Sequence, residues 1–150
     1  MRRAIALANA QLTTGAGGPF GAVIARGDTI VAEGVNRVTS TNDPTAHAEI
    51  VAIRAACAEL GTFTLAGCVV YASCEPCPMC LGAIYWARLD RLYFAADRAD
   101  AGAIGFDDAR VYDELARAPD ARALPTVRLL ADEGRAALAA WTAKPDKVRY

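Results

Sequence analysis

The sequence predicts an α/β domain, a three-layer α/β/α sandwich in which helices cover both faces of a mixed sheet of about five strands. Three observations point there. Short apolar runs at residues 20–25, 29–35, 68–72, 91–95 and 126–130 are interspersed with stretches that read as helices. Gly27 and Asp28 join the first two runs so tightly that these must form an antiparallel hairpin. A helical stretch at 76–87 lies between two later runs, a strand–helix–strand rhythm whose strands run parallel. At 150 residues, 54% of them hydrophobic and 22% charged, the chain suits a single domain, 1–150, with core enough to stand without disulfides.

In order along the chain, residues 2–12 read as a helix, with Ala4, Leu7 and Ala8 at helical spacing. Arg2, Arg3 and Ala8-Asn9-Ala10 imitate an export signal, but the apolar part between them is shorter than secretion needs. A glycine-rich loop, 13–19, leads into the hairpin. After a polar loop at 36–43, a long helix is expected from Pro44 or Thr45 to Leu60. Proline suits a first helical position, Asp43 or Thr45 can cap it, and Gly61 stops it. Ala46, Ile50, Ile53, Cys57 and Leu60 mark its expected core stripe. Beyond the crossover, 111–118 suggests a helix, 126–130 a fifth strand parallel to the fourth, and 132–143 a last helix.

Sixteen basic against seventeen acidic residues give a net charge of -1, whereas a domain living on nucleic-acid phosphates usually shows a basic excess. No apolar run is long enough to span a membrane. The five cysteines crowd into residues 57–80. An odd number so placed argues for a reducing compartment and for metal or thiol chemistry, and the expected location is the cytoplasm.

Two segments carry chemistry: His47-Ala48-Glu49 and Glu75-Pro76-Cys77-Pro78-Met79-Cys80. Cys77 and Cys80 project from one side of the first turn of a predicted helix, whose N-terminus favours thiolates. With His47, the only histidine, they offer three tetrahedral positions. Zinc accepts that mixed nitrogen and sulfur set, and three protein ligands leave a fourth position for a water acidified toward hydroxide. Glu49, two residues after the histidine, can take that water's proton and pass it to a substrate nitrogen. A histidine followed by x-Glu and then Pro-Cys-x-x-Cys is the signature of zinc nucleobase deaminases. Alone, a histidine in an alanine-rich helix or a cysteine pair at a helix start is an ordinary core feature. A rival arrangement adds Cys74 as a fourth ligand, which would close the site and make it structural. Cys57 and Cys68 fall on core faces.

The chain resembles the cytidine-deaminase-like superfamily, and within it the small bacterial guanine deaminases. The resemblance rests on Gly17 to Ile24, on Asn42-Asp43-Pro44-Thr45-Ala46-His47-Ala48-Glu49, and on Ser73 to Arg88. It extends to Gly105-Phe106-Asp107-Asp108 and a tail ending in Tyr150. It implies a cytidine-deaminase-like fold, one zinc per chain on His47, Cys77 and Cys80, and Glu49 as proton shuttle. It further implies that Asn36 hydrogen-bonds the base, that Phe20 is an aromatic wall, and that Ala48 belongs with the substrate-contacting residues. Asp108 would help protonate the departing amine. Tyr150 would close the pocket of a partner subunit, in a homodimer whose C-terminal segments are exchanged. Apart from the resemblance, Asn36 reads as a turn brace, Phe20 as core, Asp107 and Asp108 as loop charge, and Tyr150 as a frayed end.

The activity so implied is hydrolytic deamination of guanine to xanthine and ammonia, with a small nucleobase as partner and neither membrane nor nucleic acid expected. Guanosine, ammeline and cytosine are alternative substrates. A tRNA adenosine deaminase shares the zinc motif but calls for a basic surface and typically has Thr-Leu where this chain has Ser73-Cys74. A non-catalytic zinc module would have no need of Glu49.

Overall fold

In the computed structural model, which describes residues 1–149, the hairpin forms as predicted. β1 (Gly21–Arg26) runs antiparallel to β2 (Thr29–Val35), and β3 (Val69–Cys74) lies antiparallel on its other side. β4 (Arg91–Ala96) joins β3 in parallel, giving a mixed sheet in the order β2-β1-β3-β4. Gly21 pairs with Val35 and Ala22 with Gly34, so each pair shares one face of the sheet. A Cβ at Gly21 would press on Ala4, Leu7 and Ala8 of α1 (Arg2–Thr14), whereas one at Gly34 would press on Ala48 and Ala52 of α3 (Ala48–Leu60). The two helices therefore cover opposite faces, and the three layers follow.

α4 (Pro78–Trp86) is the crossover between β3 and β4 and contacts α3, so it shares that helix's face. The main core lies under this pair: Ala22, Ile24 and Val70 of the sheet meet Ala52, Ala56 and Ile84. On the other face Ala4 and Ala8 pack the sheet, and Arg3 binds both carboxylate oxygens of Glu33 at 2.6 Å, tying α1 to β2.

Four expectations change. Residues 126–130 form no strand, so the sheet has four strands and the parallel fifth is withdrawn. Pro125 offers no N–H, the run is exposed, and Leu130 turns left-handed at φ 49° to start the last helix. The long helix begins at Ala48 rather than at Pro44 or Thr45. Asp43 Oδ1 accepts from both the Thr45 N–H and its hydroxyl, at 2.8 and 2.6 Å, and this side-chain turn holds the segment out of the helix. Its fully buried stripe is Ala48, Ala52 and Ala56; Ile53, Cys57 and Leu60 only flank the core, and Ala46 is buried ahead of the helix. Two short helices appear that the sequence reading lacked, α2 (Val38–Thr41) and α5 (Arg98–Ala103). The second is capped reciprocally by Asp97 and Asp100.

The described residues gather into two compact units, Met1–Val111 and Tyr112 onward. α6 (Ala109–Ala116) crosses the boundary, and the second unit continues with a 3₁₀ turn (Pro119–Ala121) and α7 (Ala131–Ala143). Glu114 holds that turn through bonds from Arg122 and Ala123. None of the second unit's described residues is buried, and Leu124, Leu129, Leu130, Leu138 and Trp141 are all exposed. Among the described residues no helix is long and apolar enough to cross a membrane.

Candidate metal centre and cavity

Two helix starts converge in the first unit. His47 is the N-cap of α3 and Cys77 the N-cap of α4, both with extended backbone, and Pro78 follows at a position where its missing N–H costs nothing. Cys80 sits one turn in. His47 Nδ1 and Cys77 Sγ are 3.6 Å apart, and the ligand atoms of His47, Cys77 and Cys80 all lie within 4.8 Å of one another. Ordinary zinc–nitrogen and zinc–sulfur bonds at a tetrahedral angle put such a pair about 3.6 Å apart, so this donor set fits zinc in spacing as well as in chemistry.

The protonation states are already divided among the three. The Cys80 thiol donates to Cys77 and, with the imidazole, lowers the Cys77 thiol to about 4. Cys80 is pushed up because it is the donor to that thiolate and is buried. His47 rises, chiefly through its hydrogen bond to Cys77. Glu49, in the first turn of α3, is buried, and loss of water raises its carboxyl. Cys74 stands apart: its Sγ donates to the Asp97 carbonyl at 3.5 Å, and burial holds the thiol at about 11. It does not join the group that could hold a metal, which among the described residues is His47, Cys77 and Cys80.

Beside this centre is a cavity of about 390 Å³ whose walls include Phe20, Asn36, His47, Glu49, Cys77 and Asp108. Asn36 follows directly on β2 and is nearly fully buried; its Oδ1 accepts the Gly18 and Val38 N–H groups, each at 3.2 Å. The Phe20 ring meets Phe106 edge to face at 4.9 Å. Asp107 Oδ1 is engaged by the Ala109 N–H at 2.9 Å, at the start of α6. For its neighbour Asp108, partial burial and then the nearby Cys77 thiolate raise the carboxyl, against a backbone hydrogen bond that lowers it. Ala48 is buried against Gly34 and is not part of the cavity wall. Tyr150 lies outside the described residues.

Sequence reasoning missed Phe106, Ser73 and Arg98 as wall residues. Phe106 was legible as an aromatic residue beside an acidic pair. Ser73, whose Oγ accepts the Gly21 N–H at 3.0 Å, gave no signal of its own because that bond spans the sheet.

A family model described as the cytidine and deoxycytidylate deaminase zinc-binding region matches residues 1–96. The guanine deaminase of Bacillus subtilis (strain 168) is 47% identical over 150 residues, covering 100% of this chain and 96% of that protein. The X-ray structure of guanine deaminase from Bacillus subtilis superimposes with a TM-score of 0.96 at 48% identity, covering 99% of this chain and 95% of the other. The tRNA-specific adenosine deaminase of Agrobacterium fabrum is 45% identical over 86 residues, 57% of each chain.

Proposed function

The chain belongs to the cytidine and deoxycytidylate deaminase zinc-binding family, and from that membership we propose that it deaminates guanine hydrolytically, giving xanthine and ammonia. The observation that carries this reading is the extent of the likeness. Likeness to a guanine deaminase runs from end to end at 47% identity, with a TM-score of 0.96 to a solved structure, whereas a tRNA:A34 deaminase that also covers the whole chain is 29% identical with a TM-score of 0.62. A net charge of -1 and a cavity near the small end of the ligand-site range suit a free base better than a nucleic acid.

His47, Cys77 and Cys80 would hold the zinc. Bound there, the metal supplies Lewis acidity, which lowers the pKa of a water in the open position. Glu49 takes one proton from the water whose oxygen adds to C2 of guanine, and delivers it to a ring nitrogen. A second proton reaches the amino nitrogen as the C2–N bond breaks; Asp108, its carboxyl raised by burial, passes it on. The atoms balance as guanine plus water giving xanthine plus ammonia. Phe20 lies along a ring face and Asn36 hydrogen-bonds the base edge. Ala48 contributes by setting the start of α3 between the metal ligand and the carboxylate.

We also read the chain as one deaminase domain that works in the cytoplasm as a homodimer with exchanged C-terminal segments, Tyr150 closing a partner's cavity. Five free cysteines support the compartment, and the exposed leucines and Trp141 of the second unit support a partner copy. The decisive experiment is ammonia release by the zinc-loaded protein from guanine, guanosine, adenine, cytosine and an adenosine-bearing tRNA stem-loop. Guanine is expected to lead. Turnover of the stem-loop alone would overturn the reading.

A further inference from the structure

We propose that Gly17 is a positioning residue for the base: the space it leaves beside Asn36 fixes which end of the Asn36 amide faces the cavity. The site then accepts only bases that present a hydrogen-bond acceptor there. This rests on the deaminase reading above and adds a determinant of specificity to it.

The polarity of the amide follows from its partners. Oδ1 of Asn36 accepts two backbone N–H groups, from Gly18 and from Val38, at 3.2 Å each. Turning the amide over would set its NH₂ against both donors and lose both bonds. The oxygen therefore stays inward. Asn36 lines the cavity, its side chain makes no further hydrogen bond among the described residues, and no buried side-chain nitrogen there lacks a partner. The NH₂ end is the one offered to a ligand. Such a group can meet a carbonyl oxygen or an unprotonated ring nitrogen; an exocyclic amine would set donor against donor.

What holds the oxygen inward is the approach of the Gly17–Gly18 turn. A Cβ at Gly17 would sit 2.5 Å from Asn36 Oδ1, 2.7 Å from its carbonyl carbon and closer still to its carbonyl oxygen. Any side chain at residue 17 must push the Asn36 backbone and amide away together, breaking the bond from Gly18. A Cβ at Gly18 would instead meet the Phe20 and Phe106 rings at about 3 Å. The two glycines thus have separate targets, and only Gly17 acts on the amide.

The test is a double-mutant cycle on the zinc-loaded enzyme. Gly17→Ala should raise KM for guanine roughly tenfold to a hundredfold, with a smaller change in kcat and unchanged zinc content. In an Asn36→Ala background the amide is gone and only the contact with the residue 36 backbone remains, so the same substitution should raise KM by much less than it does beside the intact amide. Losses that simply add would mean that Gly17 is only structural, and would overturn the proposal. Asn36→Asp provides a second arm should Gly17→Ala fail to fold. Asp keeps the shape and the two N–H bonds, which hold it ionised, but turns an acceptor outward. The kcat/KM ratio of guanine to 2,6-diaminopurine, whose carbonyl is replaced by an amine, should fall at least tenfold; an unchanged ratio would overturn the proposal. If the wild-type protein does not deaminate guanine, the functional reading fails by itself. The cycle is then run with the base it does deaminate, and additivity there sinks the inference independently.

Discussion

Cys77 and Cys80 share one helical turn yet carry different charge, because one proton lies between two sulfurs and the helix end and imidazole favour its loss from Cys77. Zinc-free protein at pH 6 is therefore expected to hold one reactive thiolate. Brief iodoacetamide treatment should label Cys77, with Cys80 and Cys74 spared, and the rate should fall as pH drops through about 4. Peptide mass mapping checks this; labelling of Cys74 first would contradict it. Metal content makes a second check. Cys77→Ala and Cys80→Ala should each lose zinc, while Cys74→Ala keeps it, since its thiol is turned to the Asp97 carbonyl. Glu49→Gln should keep zinc as well and lose about 10²–10⁴-fold in turnover, the usual worth of a general acid–base group. The trio His47, Cys77 and Cys80 could be read from sequence as a candidate ligand set because few residue types bind zinc and the two cysteines stand three apart, although His47 lies 30 residues before Cys77. The polarity of Asn36 could not, since it is set by N–H groups from two other segments.

Helix α3 shows why some elements were legible and others were not. Hairpin and crossover are short-range patterns and emerged nearly as expected. The start of α3 was misread because a proline at a helix entrance is a stronger signal than one aspartate that bonds Thr45 twice. Its buried stripe was misread because alanines carry little hydrophobic signal, while large apolar residues draw the eye. The alanines are there for closeness: Gly34 lets the backbone of α3 approach β2 so nearly that a Cβ would lie 2.5 Å from Ala52 N and closer still to Ala48 O. Gly34→Ala is expected to cost about 3 kcal/mol, the upper range for overpacking, and to tilt His47 and Glu49 with the helix. Gly82→Ala in α4, where the new methyl meets nothing, should leave stability unchanged or raise it by up to about 1 kcal/mol. Urea unfolding of the zinc-loaded proteins measures both. The predicted fifth strand failed for a further reason: apolar composition alone marked it, and the run is exposed and ends in the left-handed Leu130.

Across the whole molecule, the second unit is a 39-residue stretch, from Tyr112 to the last residue, in which no described side chain is buried. Exposed apolar surface of that extent calls for a cover. Sedimentation at micromolar concentration should report a dimer, and a monomer would remove the exchanged-segment reading. Deleting residues 147–150 should leave zinc and folding intact while sharply lowering guanine turnover. Mixing that truncated chain with full-length Glu49→Gln under subunit exchange should restore part of the activity, since one mixed site then has both an intact glutamate and an intact tail. The division of the cavity has a consequence for how such a protein changes over time. The candidate metal ligands come from the starts of α3 and α4, while Asn36, Phe20 and Asp108 come from the hairpin ends and the loop after α5. Mutations in the second group can therefore accumulate without touching the first. A duplicated gene could be retuned toward another heterocycle by drift in two loops, inheriting its hydrolytic engine unchanged.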